Sequence, residues 1–242
     1  MGITAEVKEF ADAAEVKAAD VMAALDAAGK EQTRRIYLRH GASEPLFGVS
    51  YAVLDKLAKQ IGTDHALALG LWATGNHDAR ELAAKIADST AVTRQQARRW
   101  LADAGNYMAV GSVAGVVAGS PHARALSDEW RDSPDEWTAS AGWLLVAFCA
   151  ERHEVFSEGE LAGLLSQIEA EIHRRPNRVR HEMNQAVIAI ALRSEELCSE
   201  ATEAARRIGK VAVDHGKTGC KTPDAVGYIE RAVAHRARRA RR

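Results

Sequence analysis

The 242-residue sequence has no long hydrophobic run. No stretch approaches the ~18 consecutive apolar residues that a bilayer-spanning helix needs, which excludes a transmembrane helix. The first residues, MGITAEVKEF, carry neither a basic leader nor an apolar signal core, so a cytoplasmic protein is the expectation. Cysteine is scarce too. Cys149, Cys198 and Cys220 are odd in number and widely spaced, which argues against a disulfide framework and suits a reducing compartment. Alternation of apolar and polar residues, the mark of a half-buried strand, is nearly absent. Paired CxxC or HxxxH spacings and a glycine-rich nucleotide-binding loop are missing as well, so no metal and no nucleotide cofactor are implied.

What the chain does contain is helix. Alanine is abundant, and apolar residues recur at spacings of three and four. EFADAAEVKAADVMAALDAAG predicts a helix stopped by Gly29, and VSYAVLDKLAKQIG a second one closed by Gly62. A paired rhythm follows: a helix over residues 64 to 74, the turn TGNH, and a helix in DARELAAKIAD. TRQQARRWLAD then pairs with NYMAVGSVAGVVAG, HARALSDEW with DEWTASAGWLLVAFCAE, and EGELAGLLSQIEAEIHR with NRVRHEMNQAVIAIALR. In the later pairs the second helix is the more apolar. The pattern predicts an all-α protein, an α-solenoid of HEAT-like hairpins with a period of about 40 residues and a concave groove. A plain helical bundle is the alternative. Residues 1–230 are expected to form one domain, and residues 231–242 a basic C-terminal tail.

Charge is unevenly distributed. From Glu171 onward, 16 Lys and Arg face 9 Asp and Glu, a net +7, whereas residues 1–170 carry −8. A basic end suggests an anionic partner, or pairing between the two halves. HRRPNRVRH places Arg174, Arg175, Arg178 and Arg180 around a proline between two helices, where they suit duplex phosphates or form a solvated loop. VDHGKTGCKTPDAVGYI places Lys217 and Lys221 beside Thr222-Pro223-Asp224, which reads as an N-cap followed by proline at the first helical position. Gly216 and Gly219 let backbone approach closely, and the helix end favours an anion such as a phosphate. His215 and Cys220 read as packing residues of this turn. Trp72, Trp137 and Trp143 read as core, while Trp100 and Tyr107 are the aromatics expected at the groove.

LFGVSYAVLDKLAKQIG followed by ALGLWATGNHDARELAAKIAD resembles the DNA alkylation repair, or AlkD-like, family of HEAT-like repeat proteins. VRHEMNQAVIAIALR and IGKVAVDHGKTGCKTPDAVGYI resemble one branch of it, carrying the CKTPDA segment. The resemblance covers most of the chain. It implies a basic groove holding duplex DNA, alkylated or not, and in active members the excision of cationic N-alkylated purines. That chemistry needs a carboxylate for an oxocarbenium-like sugar and aromatic faces for a cationic base. By the resemblance, RRWLADAGNYMAV should carry it. There Asp103 matches a first acid, and Asn106 stands where the catalytic aspartate is expected, with Trp100 nearby. Ser140 stands where an arginine is expected three residues after Trp137, and Ile190 where a tryptophan is expected. The reading is a DNA-binding protein with glycosylase chemistry reduced or lost. The alternatives are an active glycosylase, using Asp103 or a carboxylate from another helix, and an α-solenoid that binds a protein partner.

Overall fold

The computed structural model describes residues 18–240. Residues 9–17 of the first expected helix, and the last two arginines of the tail, lie outside the described residues. Among the described residues the regular structure is helical. The α-helices are α1 Ala18–Ala28, α2 Glu31–Arg39, α3 Tyr51–Ile61, α4 His65–Ala73, α5 His77–Ile86, α6 Arg94–Ala104 and α7 Tyr107–Ala118. They continue with α8 Ala123–Arg131, α9 Glu136–Cys149, α10 Glu158–Glu171, α11 Asn177–Ile190, α12 Glu195–Ile208 and α13 Ala225–Ala240. A 3-10 turn, Ile172–Arg174, leads into α11. No helix among the described residues is long and apolar enough to cross a membrane.

Local chemistry sets these boundaries. α1 and α3 stop immediately before Gly29 and Gly62, as the sequence predicts. Thr93 and Gln96 form a reciprocal capping box at the start of α6, and Ser157 and Glu160 do the same for α10. Asp64, Asn76, Asp135 and Ser194 cap α4, α5, α9 and α12 through side-chain oxygens. Gly105 ends α6 at a φ of 65°, a left-handed conformation that a side chain resists.

The chain divides into two compact units at Ser120 and Pro121. In the first, α4 pairs with α5 and α6 with α7, and the second helices α5 and α7 pack on one another; α3 also packs on α5. In the second unit the hairpins are α8/α9, α10/α11 and α12/α13. Here α9 packs on α11, α10 on α12, and α11 on α13. Hairpins therefore stack through like helices, which is how repeat proteins share a core. The first helices begin at residues 65, 94, 123, 158 and 195, so the steps are 29, 29, 35 and 37 residues. These are shorter than the period of about 40 read from the sequence, because the connections are only a few residues long.

Packing explains the apolar bias of the second helices. Leu82, Ile86 and Val113 are fully buried in the first unit, as are Trp143, Leu145 and Ile190 in the second. Each such large side chain stabilises the fold by about 1.5–3 kcal/mol. α8 and α9 approach closely at Gly142, where an added Cβ would lie 2.4 Å from the Arg131 nitrogen. Ser127 Oγ donates to the Gly142 carbonyl across the same contact, 3.1 Å away.

Candidate nucleic-acid interface

The stretch expected to carry chemistry lies in the first unit, and its groups hold one another. Trp100 is 3% exposed, and its ring stacks on that of Trp72, with centroids 4.5 Å apart and planes inclined by 13°. Trp72 Nε1 donates to Asp103 Oδ2 over 3.1 Å. Arg80 lies over the Trp72 ring, approaches the Asp103 carboxylate to 3.9 Å, and donates from Nη1 to the Asp103 carbonyl over 2.7 Å. Asp103 is thus a brace between two hairpins.

Asn106 is the N-cap of α7 and is buried. Its Oδ1 accepts from the Met108 and Ala109 amides at 3.0 and 3.2 Å, while its Nδ2 donates to the Ala104 carbonyl at 3.2 Å. An amide serves both directions at once; a carboxylate could only accept. The Tyr107 hydroxyl is hydrogen-bonded to His40 Nδ1. In the second unit Ser140 and Ile190 are buried in the packing of α9 and α11.

Two acids that the sequence reading did not single out are buried on α5. Asp78 accepts from the amides of Phe47, Gly48 and Val49 at 2.6, 3.0 and 2.7 Å. Glu81 accepts from Ser112 Oγ at 2.6 Å and from the Tyr51 hydroxyl at 3.3 Å, and its Oε1 is buried without a hydrogen-bond partner. Burial and these carboxylates push the Tyr37 and Tyr51 hydroxyls far above the usual tyrosine range, and burial pushes His77 down. The signal was available in HDARELAAKI. Both acids fall on the same helical face as the buried Ala79, Leu82 and Ile86.

In the second unit, α11 and the loop 209–224 form an open basin of ≈ 730 Å³, lined among others by Asn177, Arg180, Lys210, His215, Lys221 and Thr222. Asn177 fastens the loop to the helix: its Nδ2 donates to the Asp214 carbonyl at 2.6 Å, and its Oδ1 accepts from the Asp214 amide at 2.7 Å. The Asp214 carboxylate, the acid of the lining, turns back to the Gly216 amide at 2.8 Å. Asn184 Nδ2 holds the Pro223 carbonyl at 3.1 Å. Between these clamps one hydroxyl serves two imidazoles. Thr222 Oγ1 lies 2.9 Å from His181 Nδ1 and 3.0 Å from His215 Nε2, and the two rings meet edge to face with centroids 5.3 Å apart.

Because its hydroxyl is engaged this way, Thr222 does not cap the last helix, as the sequence pattern had suggested. α13 starts at Ala225, and Asp224 is the cap, its Oδ2 accepting from the Gly227 amide at 2.8 Å. Burial pushes His181 down to about 4, with Arg178 and His215 acting in the same direction. Burial and Arg178 also lower His215, against Asp214.

The basin unites two segments that the sequence presented separately, and it sorts their cations. Arg180 and Lys221 line it, joined by Lys210, which sequence reasoning missed although it lies in the quoted IGKVAVDHG. Lys217 is exposed on the same loop. Arg174 and Arg175 donate to the carbonyls of Ala170 and Arg131 at 2.9 and 2.6 Å. Arg178 pairs with Glu182 at 2.9 Å, and burial raises that carboxyl to about 7. Among the described residues no group of three or more His, Cys, Asp or Glu could hold a metal ion.

Residues 21–238 match the family described as DNA alkylation repair enzyme. The chain belongs to that family. Two relatives within reach of it are the uncharacterized protein Lin0241 of Listeria innocua, 28% identical over 215 residues, and the uncharacterized protein Lmo0209 of Listeria monocytogenes, 27% identical over 215 residues. Each match covers 86% of this chain and 93% of the relative. A solved structure is similar with a TM-score of 0.83 and 32% identity, over 91% of this chain and 95% of that one. It is described as one of a new family of proteins related to the HEAT-like repeat DNA glycosylases, with affinity for branched DNA structures. The stacked hairpins of this DNA alkylation repair family member are accordingly of the HEAT-like type.

Proposed function

We propose that this chain is a DNA-binding member of its family that holds duplex or distorted DNA by backbone phosphates and has little or no glycosylase activity. The observation that carries the DNA half is the convergence of Arg180, Lys210 and Lys221 on one open basin, whose acid, Asp214, is occupied by a backbone amide. Phosphate contacts of this kind position a protein without reading sequence. The affinity of the solved relative for branched DNA structures supports the same reading. By the same proposal Lys217, exposed on the same loop, extends the contact, and Tyr107, half-buried with its hydroxyl bonded to His40, is a second DNA contact on the first unit.

The enzymatic half rests on the first unit. Stabilising an oxocarbenium-like sugar requires an anionic group aimed at the reacting carbon. At the expected place stands a buried amide that caps a helix, and the neighbouring carboxylate of Asp103 is tied to Trp72 and Arg80. Trp100, stacked on Trp72, has no part in base contact here. A second reading is favoured by one specific observation: Glu81 carries a buried carboxylate oxygen without a partner. An enzyme that rotated Glu81 toward a substrate would excise bases without Asp103.

The test is equilibrium binding to a four-way junction and to linear duplex across 50–300 mM salt. Each phosphate contact contributes about 0.9 to the slope of log affinity against log salt. Neutralising Arg180, Lys210 and Lys221 to glutamine should lower that slope by ~2.7 and weaken binding to both DNAs. Binding that ignores salt, or an unchanged slope in the triple variant, would remove the basin from the DNA interface and move weight to a protein partner.

A further inference from the structure

We propose that the basin of α11 and the 209–224 loop is a proton-linked site for a single phosphate group, in which His215 takes up a proton as the phosphate enters. The proposal rests on the reading of the basin as a phosphate contact and deepens it.

The geometry begins with Thr222. A hydroxyl has one proton, so between two imidazoles it donates to one ring and accepts from the other. His181 stays neutral above about pH 5, because burial holds it near 4. His215 differs. Its ring lines the basin, its Nε2 meets Thr222, and its Nδ1 is a buried atom without a hydrogen-bond partner.

Protonated His215 is a donor at both nitrogens, which fixes one direction for the chain: His215 Nε2–H donates to Thr222 Oγ1, and Thr222 donates to His181 Nδ1. The neutral pair can run either way. Protonation therefore asks at most for a turn of the Thr222 hydroxyl toward His181, but it adds a positive charge to an already basic wall. Burial first, and then Arg178, lower the proton affinity of His215 against Asp214, and charged groups surround the ring. On α11 these are Arg178 and Arg180, with His181 neutral beside them; in the loop they are Lys210, Lys221 and the acid Asp214.

Acids of α9, α11 and the end of the loop are engaged elsewhere. Glu182 pairs with Arg178, Glu136 accepts from the Arg178 amide at 2.6 Å, and Asp224 caps α13. The cations thus outnumber the acid in the lining. A phosphate group reverses that balance: its charge offsets Arg180, Lys210 and Lys221 and favours the imidazolium. By linkage, whatever raises the proton affinity of His215 must itself bind more tightly when His215 is protonated. Affinity for the phosphate should therefore rise as pH falls below the ordinary histidine range.

The test uses the full chain and, first, inorganic sulfate, a tetrahedral oxyanion whose charge is constant between pH 5 and 8. Histidine ring signals are followed by NMR during sulfate titrations at pH 5.5 and 7.5. The expected result is saturable movement of the His215 ring, a sulfate affinity up to about tenfold higher at pH 5.5, and a His215 titration midpoint raised by up to about one unit. His215→Gln should bind sulfate equally at both pH values, and Arg180→Gln with Lys221→Gln should lose the site. Should His215→Gln disturb the loop, Thr222→Val keeps both rings and removes only the hydroxyl; it should alter the His215 titration while sulfate still binds.

No saturable binding, or wild-type binding that is the same at both pH values, overturns the proposal. A second arm identifies the source of the phosphate. If a short duplex displaces sulfate, the ligand is the DNA backbone. If sulfate binds with the expected pH dependence and duplex does not displace it, the site stands for a free phosphate-bearing ligand and the DNA reading of the basin fails. If duplex binds while sulfate leaves His215 unmoved, the reverse holds.

Discussion

Replacing Asp78 by asparagine should cost the fold about 3–5 kcal/mol, and the magnitude follows from three hydrogen bonds. The carboxylate is fully buried. Oδ2 accepts from Phe47 and Gly48 and Oδ1 from Val49, at 2.6, 3.0 and 2.7 Å. These bonds fix the segment between α2 and α3, where the backbone lies so close to α2 that a Cβ on Gly48 would sit 2.5 Å from the Arg34 nitrogen. An asparagine keeps one oxygen. In its better orientation it retains the Phe47 and Gly48 bonds and turns its NH₂ toward the Val49 amide. One charge-assisted bond of ~1.5–3 kcal/mol is lost, a buried donor is left unsatisfied at ~1–3 kcal/mol, and the two remaining bonds weaken without the charge. Against a total stability of ~5–15 kcal/mol the loss is large. Urea unfolding followed by tryptophan fluorescence measures it. A loss below ~1 kcal/mol would show that Asp78 does not hold the segment.

The other predictions concern packing, pH and the expected catalytic position. Gly142→Ala places a methyl group against the Arg131 and Trp130 backbone, so the thermal midpoint should fall by the equivalent of ~1–3 kcal/mol; an unchanged midpoint would mean that α8 and α9 part freely. His181 binds its proton near pH 4 in the folded chain but near ~6.5 when unfolded, so the unfolded state gains protons first. Its contribution is therefore present at neutral pH and is lost between about pH 6.5 and 4, by up to ~3 kcal/mol. His181→Gln should flatten that part of the stability profile, and a profile identical to the wild type would contradict the assignment. Asn106→Asp should still cap α7 but lose the bond to Ala104, costing ~1 kcal/mol and creating no base-release activity; appearance of such activity would show that the acid alone was missing.

Much of the fold was legible because it is local. Helix spacing, the capping box of Thr93 and Gln96, and the stops at Gly29 and Gly62 are all written within a few residues. The pairing of Arg178 with Glu182 is likewise visible as an i, i+4 spacing. What escaped depends on neighbours one repeat away. Trp72 meets Asp103, and Glu81 meets Ser112, each across 31 residues, so no local pattern shows that these acids are engaged. Thr222 read as a cap because Thr-Pro-Asp has that form, but two histidines, one of them 41 residues away, claim its hydroxyl. The basic character of the C-terminal part was plain from charge alone. Which cations share a surface was not: Arg174 and Arg175 donate to carbonyls in the structure, while Lys210 joins Arg180 and Lys221 at the basin.

As proposed, this DNA alkylation repair family member binds DNA with little or no excision of bases. The most direct test is release of alkylated purines from methylated duplex DNA at protein concentrations that saturate binding, with Asp103→Asn and Glu81→Gln alongside the wild type. Saturable binding and no release above the protein-free rate are expected. Release that either substitution abolishes would contradict the proposal and identify the carboxylate that does the chemistry.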